Sequence, residues 1–188
     1  MFRFLKSSSS EPLAVTMTGV KLGDRVFVAG LGDPKMIAAL AVKAGLTGQA
    51  VLLDPDESRL RAAGQEIERE GGLIDLTHAP LTSSWPFADG HFDIAVLHDV
   101  LPALSADGVA LAASLHEVLR TLRGGGRAIV IDGTPRRGLG GIVPRQAVAQ
   151  RYATGSDAVG ALKAAGFSAV RVLAERDGTI FTEGVKRA

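Results

Sequence analysis

Cysteine is absent from this 188-residue chain, which excludes disulfides, thiolate metal centres and a cysteine nucleophile. Aromatic residues are scarce at 5%, so a nucleic-acid surface of basic residues interleaved with aromatics has little material to draw on. Neither sign of charge is in excess. A formal net charge of +1 supplies no strong field for nucleic acid or a membrane, although local basic patches remain open. No hydrophobic run approaches membrane-spanning length, and Met1–Phe2–Arg3–Phe4–Leu5–Lys6 is too short an apolar stretch for a signal peptide. A cytoplasmic location and no membrane contact are therefore expected. His78, His91, His98 and His116 show no metal-ligand spacing, so no metal is expected. Neither a G-x-S-x-G elbow nor a P-loop occurs.

What remains is a chain with 46% apolar and 22% charged residues, the composition of a globular protein with one sizeable core. Residues 1–12, with the run Ser7 to Ser10, read as a flexible lead, and residues 13–188 as a single domain. A short helix is expected over 13–20. Strands are then expected at 25–29, 50–53, 73–77, 92–98 and 127–132, and helices at 34–44, 57–70 and 106–123. Gly124–Gly125–Gly126 is expected to stop the last of these. A further helix over 156–165, capped by Ser156 or Asp157, precedes strands at 168–175 and 179–186 that flank the turn signal Asp177–Gly178. Near-continuous apolar strands alternating with helices predict an α/β fold, a doubly wound, mostly parallel sheet covered on both faces and closed by an antiparallel hairpin.

Val26–Phe27–Val28–Ala29–Gly30–Leu31–Gly32–Asp33–Pro34 reads as a buried strand entering a glycine turn and then a helix, the place where such folds hold nucleotide-like cofactors. Gly30 and Gly32 permit a sharp turn and close backbone approach. Asp33 is expected as N-cap and Pro34 at the first helical position. The helix start would offer its amides to a carboxylate. Asp54 closes the second apolar run and suits two ribose hydroxyls. The bland alternatives are an ordinary βα turn at Gly30 and Gly32, and a helix-capping turn at Asp54–Pro55–Asp56. A nicotinamide site is the poorer fit, because Lys35 stands where the last small residue of G-x-G-x-x-G belongs.

Several segments together resemble the class I S-adenosylmethionine-dependent methyltransferases, over roughly residues 20–187. They are Lys21–Leu22–Gly23–Asp24–Arg25–Val26, Gly30–Leu31–Gly32, Trp85–Pro86–Phe87–Ala88–Asp89–Gly90–His91–Phe92–Asp93, Val100–Leu101–Pro102–Ala103–Leu104, and His116–Glu117–Val118–Leu119–Arg120–Thr121–Leu122–Arg123–Gly124–Gly125–Gly126. The resemblance implies a seven-stranded sheet with S-adenosylmethionine as cofactor and S-adenosylhomocysteine as product. It implies cofactor contacts at Ala29, Gly30, Leu31 and Gly32, at Asp54 and Pro55, and at Thr82, Ser83 and His98. His98 and Asp99 are the candidate catalytic residues, for substrate contact or as base, with local hydrogen bonding or turn capping as their alternative roles.

The chain departs from the family pattern at three places. Val28 stands where an acid precedes the first glycine, Pro34 replaces the third glycine, and Leu81 stands where an acid meets the adenine amino group. Asp33 either compensates for Val28 or caps the helix, and capping is favoured. Asp93 lies at the wrong end of its strand for catalysis, and Asp132 is a weaker candidate of the same kind as His98. Trp85 is expected in the core or near an adenine ring. Arg136, Arg137, Arg145 and Arg151 make a local basic cluster in a loop that suits solvent, an anionic substrate, RNA or a protein partner. The expected activity is methyl transfer to a small-molecule acceptor, with a homodimer or a protein partner open. The alternatives are a non-catalytic relative, a binding or scaffold protein with weak or lost cofactor affinity, and a cofactor-binding regulatory subunit that dimerises with a partner.

Overall fold

Apolar, β-branched runs become strands, and the segments capped by aspartate become helices. The computed structural model describes residues 13–82, 84–104, 107–133, 158–176 and 178–188. Helix α1 (Leu13–Thr18) leads into β1 (Arg25–Ala29), α2 (Pro34–Ala44), β2 (Gln49–Asp54), α3 (Glu57–Arg69), β3 (Asp75–His78) and β4 (Phe92–His98). Then come α4 (Val100–Leu104), α5 (Gly108–Thr121), β5 (Leu122–Gly133), α6 (Ala158–Ala164), β6 (Ser168–Arg176) and β7 (Thr179–Val185). The strands form one seven-stranded sheet in the order β3-β2-β1-β4-β5-β7-β6. Strands β1 to β5 pair in parallel. The closing hairpin is antiparallel as expected, and β7 is inserted between β5 and β6 and runs against both.

Side-chain alternation sorts the central strands between two cores. Phe27, Ala29, Leu53, Ala95 and Leu97 pack with Leu115 and Val118 of α5, Leu162 of α6 and Trp85. Val26, Val28, Leu52, Ile94 and Val96 pack with Val15 of α1, Ile37 and Leu40 of α2, and Leu60 and Ile67 of α3. Both faces being covered explains why β1 and β2 read as unbroken apolar runs. Trp85 belongs to the first core, its ring centroid 4.8 Å from that of Phe27. Asp93 has the structural role expected of it: it accepts from the amide of Arg25 at 2.8 Å and from the Arg123 guanidinium.

The helix starts follow from their caps. The carboxylates of Asp33, Asp56 and Asp107 accept amide hydrogen bonds from Lys35, from Ser58 and Arg59, and from Val109 and Ala110, which satisfies donors that the first turn leaves without helical partners. Gly45, with φ of 70°, ends α2.

The structure differs from expectation at Gly124–Gly126. The helix already stops at Thr121, and Leu122 is extended. The glycines lie inside β5, where the pairing register with β4 shifts between Phe92/Leu122 and Ile94/Arg127. A side chain on Gly126 would meet the carbonyls of Arg123 and Asp93 at 2.9 and 3.2 Å, so these residues serve a bulge and not a helix stop. Helix α4, which sequence patterning left without an element, follows β4 directly. The lead 1–12, the caps Ser156 and Asp157, the turn residue Asp177 and the basic cluster from Arg136 to Arg151 lie outside the described residues.

Candidate functional site

Strand order reverses between β1 and β4, and in open α/β sheets the crevice at that point, beyond the carboxyl ends of the strands, is where ligands bind. Ala29 of β1 stands opposite Leu53 of β2 and Leu97 of β4. The next residues, Gly30, Asp54 and His98, therefore reach the sheet edge at one level, on neighbouring strands spaced about 4.8 Å apart.

Gly30 turns the chain with φ of +86° and donates its amide to the Leu53 carbonyl at 3.2 Å. A Cβ there would lie 2.5 Å from the His98 carbonyl, so only glycine brings β1 and β4 this close. Gly32 is exposed, with φ of +33°, and a Cβ there would lie 2.8 Å from the His98 ring. The imidazole thus sits directly beneath the turn. Its side chain is 19% exposed, and Nδ1 lies 3.3 Å from Asp99 Oδ2. This is ion-pair distance, but Nδ1 is buried and makes no aligned hydrogen bond. Asp99 takes a left-handed backbone with φ of +53°, unusual for a non-glycine residue, and its amide donates to the Ile131 carbonyl at 2.9 Å.

Asp54 is 5% exposed. Its Oδ1 accepts the Asp56 amide at 2.9 Å, while the helix cap itself is Asp56. Asp54–Pro55–Asp56 thus forms the helix-capping turn that was the bland alternative, with Asp56 as the cap, and it also holds a buried carboxylate at the tip of β2. Pro55 beside it is exposed, and its carbonyl lies 3.0 Å from His78 Nε2. Leu31 packs partly against the core beneath α2. Ala29 is fully buried, so only its backbone serves the turn. Thr82 is exposed and borders an open groove whose other wall is α5, at Gly108, Val109 and Ala112. Ser83 lies outside the described residues. Leu81 packs against the first core. Asp132 is half-buried at the end of β5, opposite Ile180.

The expected anion site at the start of α2 is closed at its first two positions. Pro34 has no N–H, and the Lys35 amide is held at 3.0 Å by the Asp33 carboxylate. Asp33 caps the helix, as favoured from sequence, and in doing so takes up one donor that a ligand carboxylate could use. Val28 is fully buried in the core beneath α2.

Sequence reasoning missed the device that fixes the connection between β3 and β4. Glu117 of α5 accepts the Trp85 amide at 2.7 Å. Arg120 pairs with Glu117 at 2.8 Å and donates to the carbonyls of Phe87 and Trp85 at 2.8 and 3.1 Å, and to Asp89 at 2.6 Å. The Arg120 guanidinium hydrogen bond holds the Glu117 carboxyl below the usual range against the opposing effect of burial, and the Trp85 amide adds to it. Arg120 is shifted upward by the same pairing. Glu117 lies off the apolar face carrying Leu115, Val118 and Leu122, so helical periodicity gave no signal of its burial. Among the described residues no group of three or more His, Asp or Glu is placed to hold a metal, and no helix is long and apolar enough to cross a membrane.

Comparison with known proteins finds relatives of this chain and of its fold. A ubiquinone/menaquinone biosynthesis C-methyltransferase UbiE from Teredinibacter turnerae is 30% identical over 119 residues, covering 63% of this chain and 46% of that protein. Its counterpart from Pseudomonas putida is 30% identical over 120 residues, covering 63% and 45%. The chain thus spans under half the length of these curated relatives. The crystal structure of a SAM-dependent methyltransferase from Aquifex aeolicus superposes with a TM-score of 0.73 at 18% identity, covering 94% of this chain and 89% of that one, which establishes the shared fold. The family model described as "Methyltransferase domain" matches residues 28–130, from the last buried residues of β1 to the middle of β5, and on that match, over more than half of its length, this chain belongs to the methyltransferase-domain family.

Proposed function

We propose that this protein is an S-adenosylmethionine-dependent methyltransferase acting on a small-molecule acceptor. One observation carries the reading: a buried carboxylate, Asp54, stands level with the Gly30 turn and His98 at the switch point of the sheet. The adenosyl half of the cofactor suits these residues. Asp54 keeps one oxygen on the Asp56 amide and has acceptor capacity left for a ribose diol, and the left-handed Gly30 turn and the exposed Gly32 admit close backbone approach. When bound, S-adenosylmethionine supplies an electrophilic methyl group.

The chain's own residues then position and deprotonate. Asp99 lies 3.3 Å from Nδ1 of His98, which places a carboxylate beside the imidazole at the strand end. The relatives' name specifies C-methylation, and a carbon acceptor must lose a proton in exchange for the methyl, which gives His98 a task. Val28 and the closed start of α2 favour a second reading, a member of the fold that binds no cofactor.

Calorimetric titration with S-adenosylmethionine and S-adenosylhomocysteine separates the two. Saturable binding is expected, and no heat at millimolar ligand removes the enzyme reading. Asp54→Ala should weaken binding by about tenfold or more, the loss of a charge-assisted hydrogen-bond acceptor. Unchanged affinity would mean the ribose lies elsewhere.

A further inference from the structure

The cofactor has two chemically distinct halves, and the site is built for only one of them. An adenosyl group is neutral and presents a ribose diol, which Asp54 matches. The amino-acid tail is a zwitterion. It needs an acid for its ammonium and unoccupied donors for its carboxylate.

Neither is present in the usual form. At the position of the acid, Val28 is fully buried. At the start of α2, Pro34 lacks a donor and Lys35's amide is occupied by Asp33. The Asp33 carboxylate also places a negative charge where the helix dipole would otherwise be positive. Lys35, the cation of that first turn, leans towards Glu70 at the end of α3, with Nζ 3.7 Å from Oε1. Both line an open groove on the outer side of α2 and α3. The start of α2 therefore presents a carboxylate and, at its first two positions, no available amide, so it opposes a carboxylate and tolerates an ammonium.

Resting on the proposed cofactor reading, we infer that the site selects 5′-thioadenosyl ligands by their nucleoside and discriminates against a tail carboxylate, with Asp33 as the residue that sets this preference. The ligand class favoured is the 5′-thioadenosyl nucleosides whose 5′ substituent is neutral or cationic. The methyl donor binds despite its carboxylate, and its affinity comes from the adenosyl half.

Equilibrium titration with three probes tests this: S-adenosylhomocysteine, 5′-methylthioadenosine, and decarboxylated S-adenosylhomocysteine, which keeps the amine. In the unaltered protein, 5′-methylthioadenosine should bind within about threefold of S-adenosylhomocysteine, and the decarboxylated amine should bind more tightly than either. Asp33→Ser keeps a capping oxygen on the Lys35 amide and removes the charge. It should tighten S-adenosylhomocysteine by about three- to tenfold, weaken the amine, and leave 5′-methylthioadenosine unchanged. A thermal melt of the variant close to the parent shows that the cap is kept; Asp33→Asn, another capping residue, replaces it should the serine variant melt early.

Binding of S-adenosylhomocysteine tenfold or more tighter than 5′-methylthioadenosine overturns the inference and leaves the cofactor reading standing. An equal effect of Asp33→Ser on all three probes overturns Asp33 as the selecting residue. Failure of all three probes to bind removes the cofactor reading itself, and the inference with it.

Discussion

At the scale of single residues, the strongest constraint is steric. Gly30 combines a left-handed backbone with a neighbour, the His98 carbonyl, that a Cβ would meet at 2.5 Å. Gly30→Ala must therefore separate the tips of β1 and β4 or distort the turn. The strain and overpacking should cost about 2–4 kcal/mol, read as a lower midpoint in urea unfolding. A variant with parental stability would mean that the turn relaxes without cost, and that the contact does not fix the site. The residue type at Gly30 could be read from sequence, but the atom it makes room for could not. Asp54 is a similar case. Its place at the end of an apolar run was legible, whereas its burial, and its exclusion from the helix cap by Asp56, depend on how β2 meets α3.

At the scale of elements, the pair Glu117 and Arg120 ties α5 to the connection ahead of β4. Arg120 alone bonds two backbone carbonyls and two carboxylates. Because the folded protein holds the Glu117 carboxyl below its ordinary value of 4.5, the unfolded chain binds the proton first on acidification. The pair's contribution is thus present above that value and is lost as pH falls through the lower, folded one. Asp93 acts in the same direction. Burial raises its carboxyl, but the Arg25 amide and the Arg123 guanidinium outweigh burial. Stability in urea should be flat from neutral pH to about pH 5 and then decline. Glu117→Gln should lower the midpoint at pH 7 and flatten the acid decline. An unaltered acid limb in that variant would place the pH dependence in other groups.

At the scale of the whole molecule, the sheet carries a stability gradient that fits its use. Strands β1, β4 and β5 are interior and flanked on both sides, whereas β3 and β6 are edges whose residues are largely exposed. Native-state hydrogen exchange should show the amides of β1, β4 and β5 protected up to the global unfolding free energy, with β3 and β6 exchanging through smaller openings. Protection in β3 equal to that in β1 would contradict this gradient. The candidate site is anchored on interior strands, so Gly30 and His98 stand at the ends of strands paired on both sides.

Local chemistry by itself determined the elements and the residues at their ends. The limits of α2 from Pro34 to Ala44 follow from Asp33 and Gly45 on either side, and β1 and β4 follow from apolar runs bounded by polar or turn-forming neighbours. The same reading identified the glycine turn and the terminal acid of β2, because caps, turns and side-chain alternation act over a few residues. Only the tertiary structure decided that Gly124–Gly126 form a bulge, that β7 enters the sheet between β5 and β6, and that Arg120 reaches Trp85, Phe87 and Asp89. It also revealed that Asp33 has already taken up one donor the start of α2 would have offered. In the first three cases the partner lies far along the chain, and no local pattern specifies which distant group will fill a given space. In the last, the residues were adjacent, but which group holds a donor depends on side-chain geometry that composition and spacing do not contain.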